Sequence, residues 1–144
     1  MGTTTFSGPI KAGSVREGAS ANTGFAVMAQ SKVIDIIGAD AADQVCAIVP
    51  ANSQIVDVIL NVTTVSNDSG TATVSVVTSG DPNAFLDAVN VKALGTTRGT
   101  IGTDGTDIGT SDQTVNAIYT AANGDGTTGA ATVTILYIQN NNLS

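Results

Sequence analysis

The chain has no histidine and no tryptophan, one glutamate and one cysteine among its 144 residues. Each absence removes a class of chemistry. Without histidine there is no side chain that titrates unperturbed near neutral pH, no ordinary base for a serine or cysteine nucleophile, and no imidazole for zinc. An intrachain disulfide is impossible with Cys46 alone. That residue lies in the apolar run QVCAIV (44–49) and reads as a buried thiol, a small hydrophobe rather than a nucleophile. Aromatic residues make up 3% of the chain, so stacking platforms for bases or sugars are nearly missing. Charged residues make up 12%, against an average of about 25%. No apolar run reaches the roughly 18 residues that span a bilayer. No glycine-rich phosphate loop leads into a helix.

What is present is Val, Ile, Leu and Ala for a core, much Thr, and sixteen Gly. Thr favours strands, and Gly favours turns and bulges. The length fits one domain, able to bury about two thirds of its unfolded surface without disulfide staples. A core so poor in aromatics is thin, and self-association would add burial. The net charge of −7 is unevenly spread. Residues 1–32 carry Lys11, Arg16 and Lys32 against Glu17, a net +2. Residues 33–144 carry Lys92 and Arg98 against eleven Asp, a net −9. An acidic body argues against nucleic acid as a partner. The basic N-terminal charges either meet an acidic protein surface or are ordinary solvated charges.

Period and punctuation divide the chain into an extended N-terminal arm (1–23), a β-sandwich domain (24–140) and a polar tail (141–144). The arm is rich in Gly, Thr and Ser, is broken by Pro9, and carries few apolar residues: Phe6, Ile10 and Val15. From residue 24 the period is two. Segments 25–29, 32–37 and 44–49 read as short strands, and PANSQ (50–54) as a turn. In the strand that follows, Val56, Val58, Leu60 and Val62 form one apolar face, expected in the core. Ile55, Asp57, Ile59 and Asn61 form a half-polar one. The turn SNDSG predicts that residues 71–79 pair back as a hairpin. Asp81 and Pro82 could cap a short helix before strand-like Val89 and Val91. Residues 94–111 read as a long loop with one short strand near Ile101. Residues 112–121 and 130–139 are strands, with Val133, Ile135 and Tyr137 on one face. The expected fold is all-β: an antiparallel two-sheet sandwich, jelly-roll-like, of about eight strands.

No enzyme is expected, and no catalytic or cofactor-binding residue is assigned. Eleven Asp could pair in space, but nearly all sit in turn contexts, where Asp bonds its own backbone. Asp104, Asp107 and Asp125, with Asp112 and Asn123 nearby, come nearest to calcium donors. Neither segment matches an EF-hand or a Gly-Asp repeat, so turns in a loop explain them and no metal is expected. The N-terminus MGTTTFSGPIKAG has no apolar signal region, and Phe6 stands where a myristoylation pattern wants Ser or Thr. Synthesis in a cytoplasm is the expectation, with no membrane partner.

Four stretches carry a resemblance: FSGPIKAGSVREG (6–18), NTGFAVMAQS (22–31), IVPANSQIVDVILNVTTV (48–65) and GAATVTILYIQ (129–139). Together they resemble the small β-rich head proteins encoded near the major capsid protein in tailed bacteriophages, taken as capsid decoration or cement proteins. Residues 92–112 match least. The resemblance implies a jelly-roll-like domain on the outer capsid surface of a virion, made in the bacterial host cytoplasm and often trimeric. Its implied partner is the major capsid protein, whose capsomers it would clamp against internal pressure. Under that reading Phe6, Pro9 and Ile10 are candidate apolar anchors, and Lys11 and Arg16 candidate partners for acidic groups on the shell. The alternative is a head fibre, a spike base or a host-surface adhesion module.

Overall fold

The structure, a computed structural model, describes residues 27–38, 43–102 and 108–139. Eight strands account for most of them: β1 (Val27–Asp35), β2 (Gln44–Val49), β3 (Ser53–Thr64), β4 (Ala72–Thr78), β5 (Leu86–Asn90), β6 (Gly95–Arg98), β7 (Gln113–Ala121) and β8 (Ala130–Gln139). They form two four-stranded antiparallel sheets, ordered β1-β8-β3-β6 and β2-β7-β4-β5. The pairs β1/β8, β2/β7, β3/β6 and β4/β5 are those of one long ribbon folded at its middle and rolled up. Rolling adds the pairings β8/β3 and β7/β4. This is the jelly-roll-like sandwich that the strand spacing predicts. The expected arm, residues 1–23, lies outside the described residues.

Alternation explains the core. In β8, Val133, Ile135 and Tyr137 point inward and are buried, while Thr132, Thr134, Leu136 and Ile138 point out. Val58, Leu60 and Val62 of β3 join them from the same sheet, and Val74, Val76, Val115 and Tyr119 face them from the other. Each such side chain contributes about 1.5–3 kcal/mol on burial. Phe85, Tyr119 and Tyr137 are the aromatics among the described residues, and all three are buried.

Several expectations change. Segments 25–29 and 32–37 are not two strands. One strand, β1, runs through Ser31 and Lys32, because as an edge strand paired only with β8 it leaves those residues in solvent. Val56 is not in the core. The register against β8 shifts between Ile55 and Asp57, so Val56 is the extra residue of a β-bulge, turned outward, while Ile55 is buried. The hairpin of β3 with β4 does not form. Both sides of β3 are taken, by β8 and β6, and the link at 65–71 crosses to the second sheet. There Ser66 is buried, its hydroxyl 2.9 Å from the Tyr119 hydroxyl, and its N–H donates to Val91 O. Asp81 and Pro82 open a turn rather than a helix: Asp81 Oδ1 accepts the N–H of Asn83 at 2.8 Å. The short strand in the long loop is β6, not a segment at Ile101, which instead packs partly buried against the core.

The turn into β8 needs a residue without a side chain. Gly129 has φ +153°, and a Cβ there would lie 2.5 Å from Ile36 O and 2.7 Å from Ile36 Cγ1. Gly129→Ala is therefore predicted to lower unfolding free energy by about 2–4 kcal/mol. Urea denaturation measures it, and an unchanged midpoint would contradict this role.

Candidate functional site

Three places could carry function: the acidic loops, the edges of the sandwich and its faces. The loops come first, because they hold the candidate calcium residues. Asp104 and Asp107 lie outside the described residues, so Asp125 alone of the three can be placed. It sits in the β7–β8 turn and reaches the β3–β4 crossing: Oδ1 accepts the Ser69 N–H at 2.8 Å and Oδ2 the Ser69 hydroxyl at 2.6 Å. Asp68 replies from the crossing, its Oδ2 accepting the Asp125 N–H at 3.0 Å and its Oδ1 the Gly70 N–H at 2.8 Å. Asn67 Oδ1 accepts the N–H groups of Thr127 and Thr128 at 2.7 and 2.9 Å. Lys92 Nζ donates to the carbonyls of Asp68 and Gly70 at 2.5 and 2.6 Å. The carboxylates here are spent on backbone donors and a serine, and together they knit two loops at one end of the sandwich. Among the described residues no three His, Cys, Asp or Glu side chains are grouped to hold a metal ion. Asp112 is apart, accepting the Ala51 N–H.

The edges show something the sequence did not announce. β1 and β2 are edge strands of different sheets, lying side by side. Gln30 on β1 sends its amide across: Nε2 donates to Ile48 O at 2.7 Å and Oε1 accepts the Ile48 N–H at 3.2 Å. Gln44 on β2 answers, its Nε2 donating to Asp35 O at 2.8 Å and its Oε1 accepting the Asp35 N–H at 3.1 Å. A primary amide carries the donor and acceptor of a peptide unit, so each glutamine stands in for a residue of a missing strand. The pair bridges the two edges at two points, Ile48 on β2 and Asp35 on β1. At the opposite edge, Arg98 of β6 forms an ion pair with Asp57 of β3. The arginine is largely in solvent, so the pair adds little stability. Neither glutamine carries a local signal, since the partner of each lies on the other sheet.

The faces are mostly small and uncharged. Cys46 is buried, and desolvation pushes its thiol up to about 11, so it stays protonated at neutral pH. The candidate shell contacts Phe6, Pro9, Ile10, Lys11 and Arg16 all lie outside the described residues. The loop network has a pH signature. The Ser69 hydroxyl and N–H hold the Asp125 carboxyl below its ordinary 3.8. A depressed carboxyl stabilises the fold above its unfolded value, and the contribution is lost as pH falls through the folded one. The difference in melting temperature between the parent and Asp125→Asn is predicted to be full near pH 6 and to close as pH falls below the ordinary carboxyl value of 3.8. A difference independent of pH would contradict the assignment.

No protein-family model and no curated protein sequence matches this chain. Solved structures do share its fold. A chain of the Cyanophage Pam1 capsid asymmetric unit matches with a TM-score of 0.61 at 16% identity, covering 93% of this chain and 99% of that one. A chain in the acidic stable capsid structure of Helicobacter pylori bacteriophage KHP30 gives 0.59 at 18%, covering 78% and 86%. A chain of the capsid of Ralstonia phage GP4 gives 0.57 at 17%, covering 87% and 90%. At these identities the likeness is one of fold, and it extends over most of each chain.

Proposed function

We propose that the chain is a structural, non-enzymatic component of a tailed-phage virion, decorating and stabilising the outer surface of the capsid. One observation carries the reading: three chains from phage capsid structures share this fold over 78–93% of the present chain. The surface chemistry fits. The described aromatics are all buried, which leaves no exposed ring there to stack on a sugar or a base. Among the described residues, the carboxylates of Asp68 and Asp125 are occupied between the β3–β4 and β7–β8 loops, and Gln30 and Gln44 bridge one pair of sheet edges.

The partner under this reading is the major capsid protein, with further copies of the chain, three in the favoured assembly, beside it. Contact would use the β domain and the N-terminal segment, with Phe6, Pro9 and Ile10 as apolar anchors and Lys11 and Arg16 facing acidic groups. Cosedimentation with purified capsids of the source virus tests it. The full chain is predicted to bind saturably, and Lys11→Glu/Arg16→Glu to weaken binding at least ~10-fold, about 1.4 kcal/mol. Unchanged binding by the variant would move the contact onto the β domain. No binding by the full chain would overturn the capsid reading and favour a host-surface adhesion module.

A further inference from the structure

The β7–β8 turn carries the only Asn-Gly dipeptide in the chain, Asn123-Gly124. In such a pair the following backbone nitrogen reaches the asparagine side-chain carbonyl carbon with least hindrance. Glycine has no Cβ in the way and takes up conformations closed to other residues. Both members are accessible to that encounter here. Asn123 is exposed, Gly124 has φ +65°, and the Gly124 N–H donates to no partner among the described residues. The asparagine amide is held by one bond, from Nδ2 to Ser69 Oγ at 2.8 Å. Gly70 leaves the room for it, since a Cβ there would lie 3.1 Å from that nitrogen. The backbone on either side is anchored: the Ala122 N–H donates to Thr71 O at 2.8 Å, and the Asp125 N–H to Asp68 Oδ2 at 3.0 Å.

We propose that Asn123 is a site of spontaneous deamidation, gated by the Ser69 hydroxyl. The Gly124 nitrogen gives up its proton to water and bonds to Asn123 Cγ. The Cγ–Nδ2 bond breaks, and the amide nitrogen takes up a proton and leaves as ammonia. One water then opens the cyclic imide at either carbonyl, which leaves aspartate or isoaspartate at position 123. Water is the sole co-reactant, and nothing is oxidised or reduced. In the closed turn the Ser69 bond holds the amide, so the reaction follows the population of the opened turn. The product cannot restore the bond. A carboxylate at position 123 has no proton to offer Ser69 Oγ, whose own proton already goes to Asp125 Oδ2 at 2.6 Å. Two carboxylates then compete for one hydroxyl, and the turn loses a tie to the β3–β4 crossing.

The inference concerns the chemistry of one turn and does not depend on the virion reading. Incubation of the full-length protein at mildly alkaline pH tests it, followed by intact mass and peptide mapping, with a urea-unfolded sample as reference. Conversion at Asn123 to both aspartate and isoaspartate is expected in the folded parent, more slowly than in urea. In Ser69→Ala it is expected to be at least ~3-fold faster than in the parent, because losing one hydrogen bond of ordinary strength raises the open population by about that factor. Ser69 is exposed, and an unchanged far-UV circular dichroism spectrum verifies the fold of the variant. Asn123→Gln, which would have to close a larger ring, is expected to abolish conversion at this position. No conversion at Asn123 in the folded parent over the period in which the urea sample converts would overturn the proposal. So would equal rates in the parent and Ser69→Ala.

Discussion

Everything in this fold waits on the last strand. β8 lies inside the first sheet, with β1 on one side and β3 on the other, and β7 holds the same place in the second sheet. The hydroxyls of Ser31 and Thr134 meet across 103 residues of chain. Of the six strand pairings, only β4 with β5 joins neighbours in sequence. The cost of closing such loops is met before most contacts exist, so a roll of this kind forms slowly and as a unit. The same constraint explains where the polar networks sit. Asn67, Asp68 and Asp125 fasten the β3–β4 crossing to the β7–β8 turn, where the two sheets exchange chain. Gln30 and Gln44 fasten the two sheets where both have a free edge.

Strand existence was legible in the sequence because period-two alternation is a local property. β3, β7 and β8 stand out through runs such as VDVILNV and TVTILYI. Pairing was not legible. The SNDSG turn looks like a hairpin turn, yet the chain there passes between sheets, and only the distant Tyr119 and Val91 show why. One bulge at Val56 reversed the facing of two residues, since a single extra residue shifts a strand by half its period. Asp81 behaves as its turn context suggests, whereas Asp125 serves Ser69, 56 residues away. Gln30 and Gln44 look like ordinary polar strand residues until the opposing edge is known.

For function, the physical picture is of a surface prepared for controlled contact. Among the described residues, the aromatics are inside, the loop acids Asp68, Asp81, Asp112 and Asp125 accept hydrogen bonds, and Gln30 and Gln44 bridge one pair of edges. Under the proposed function, a chain so rich in Thr, Val and Ala would serve in a coat built from many copies. The likeness to three chains from phage capsid structures is one of fold.

The most direct measurement is a cryo-electron microscopy reconstruction of the source virion, with the sandwich fitted into its density. The account predicts that a two-sheet roll with β8 between β1 and β3 fits density on the outer surface of the shell, in contact with the major capsid protein. Density for this chain confined to a tail or fibre, or none in the particle at all, would contradict it.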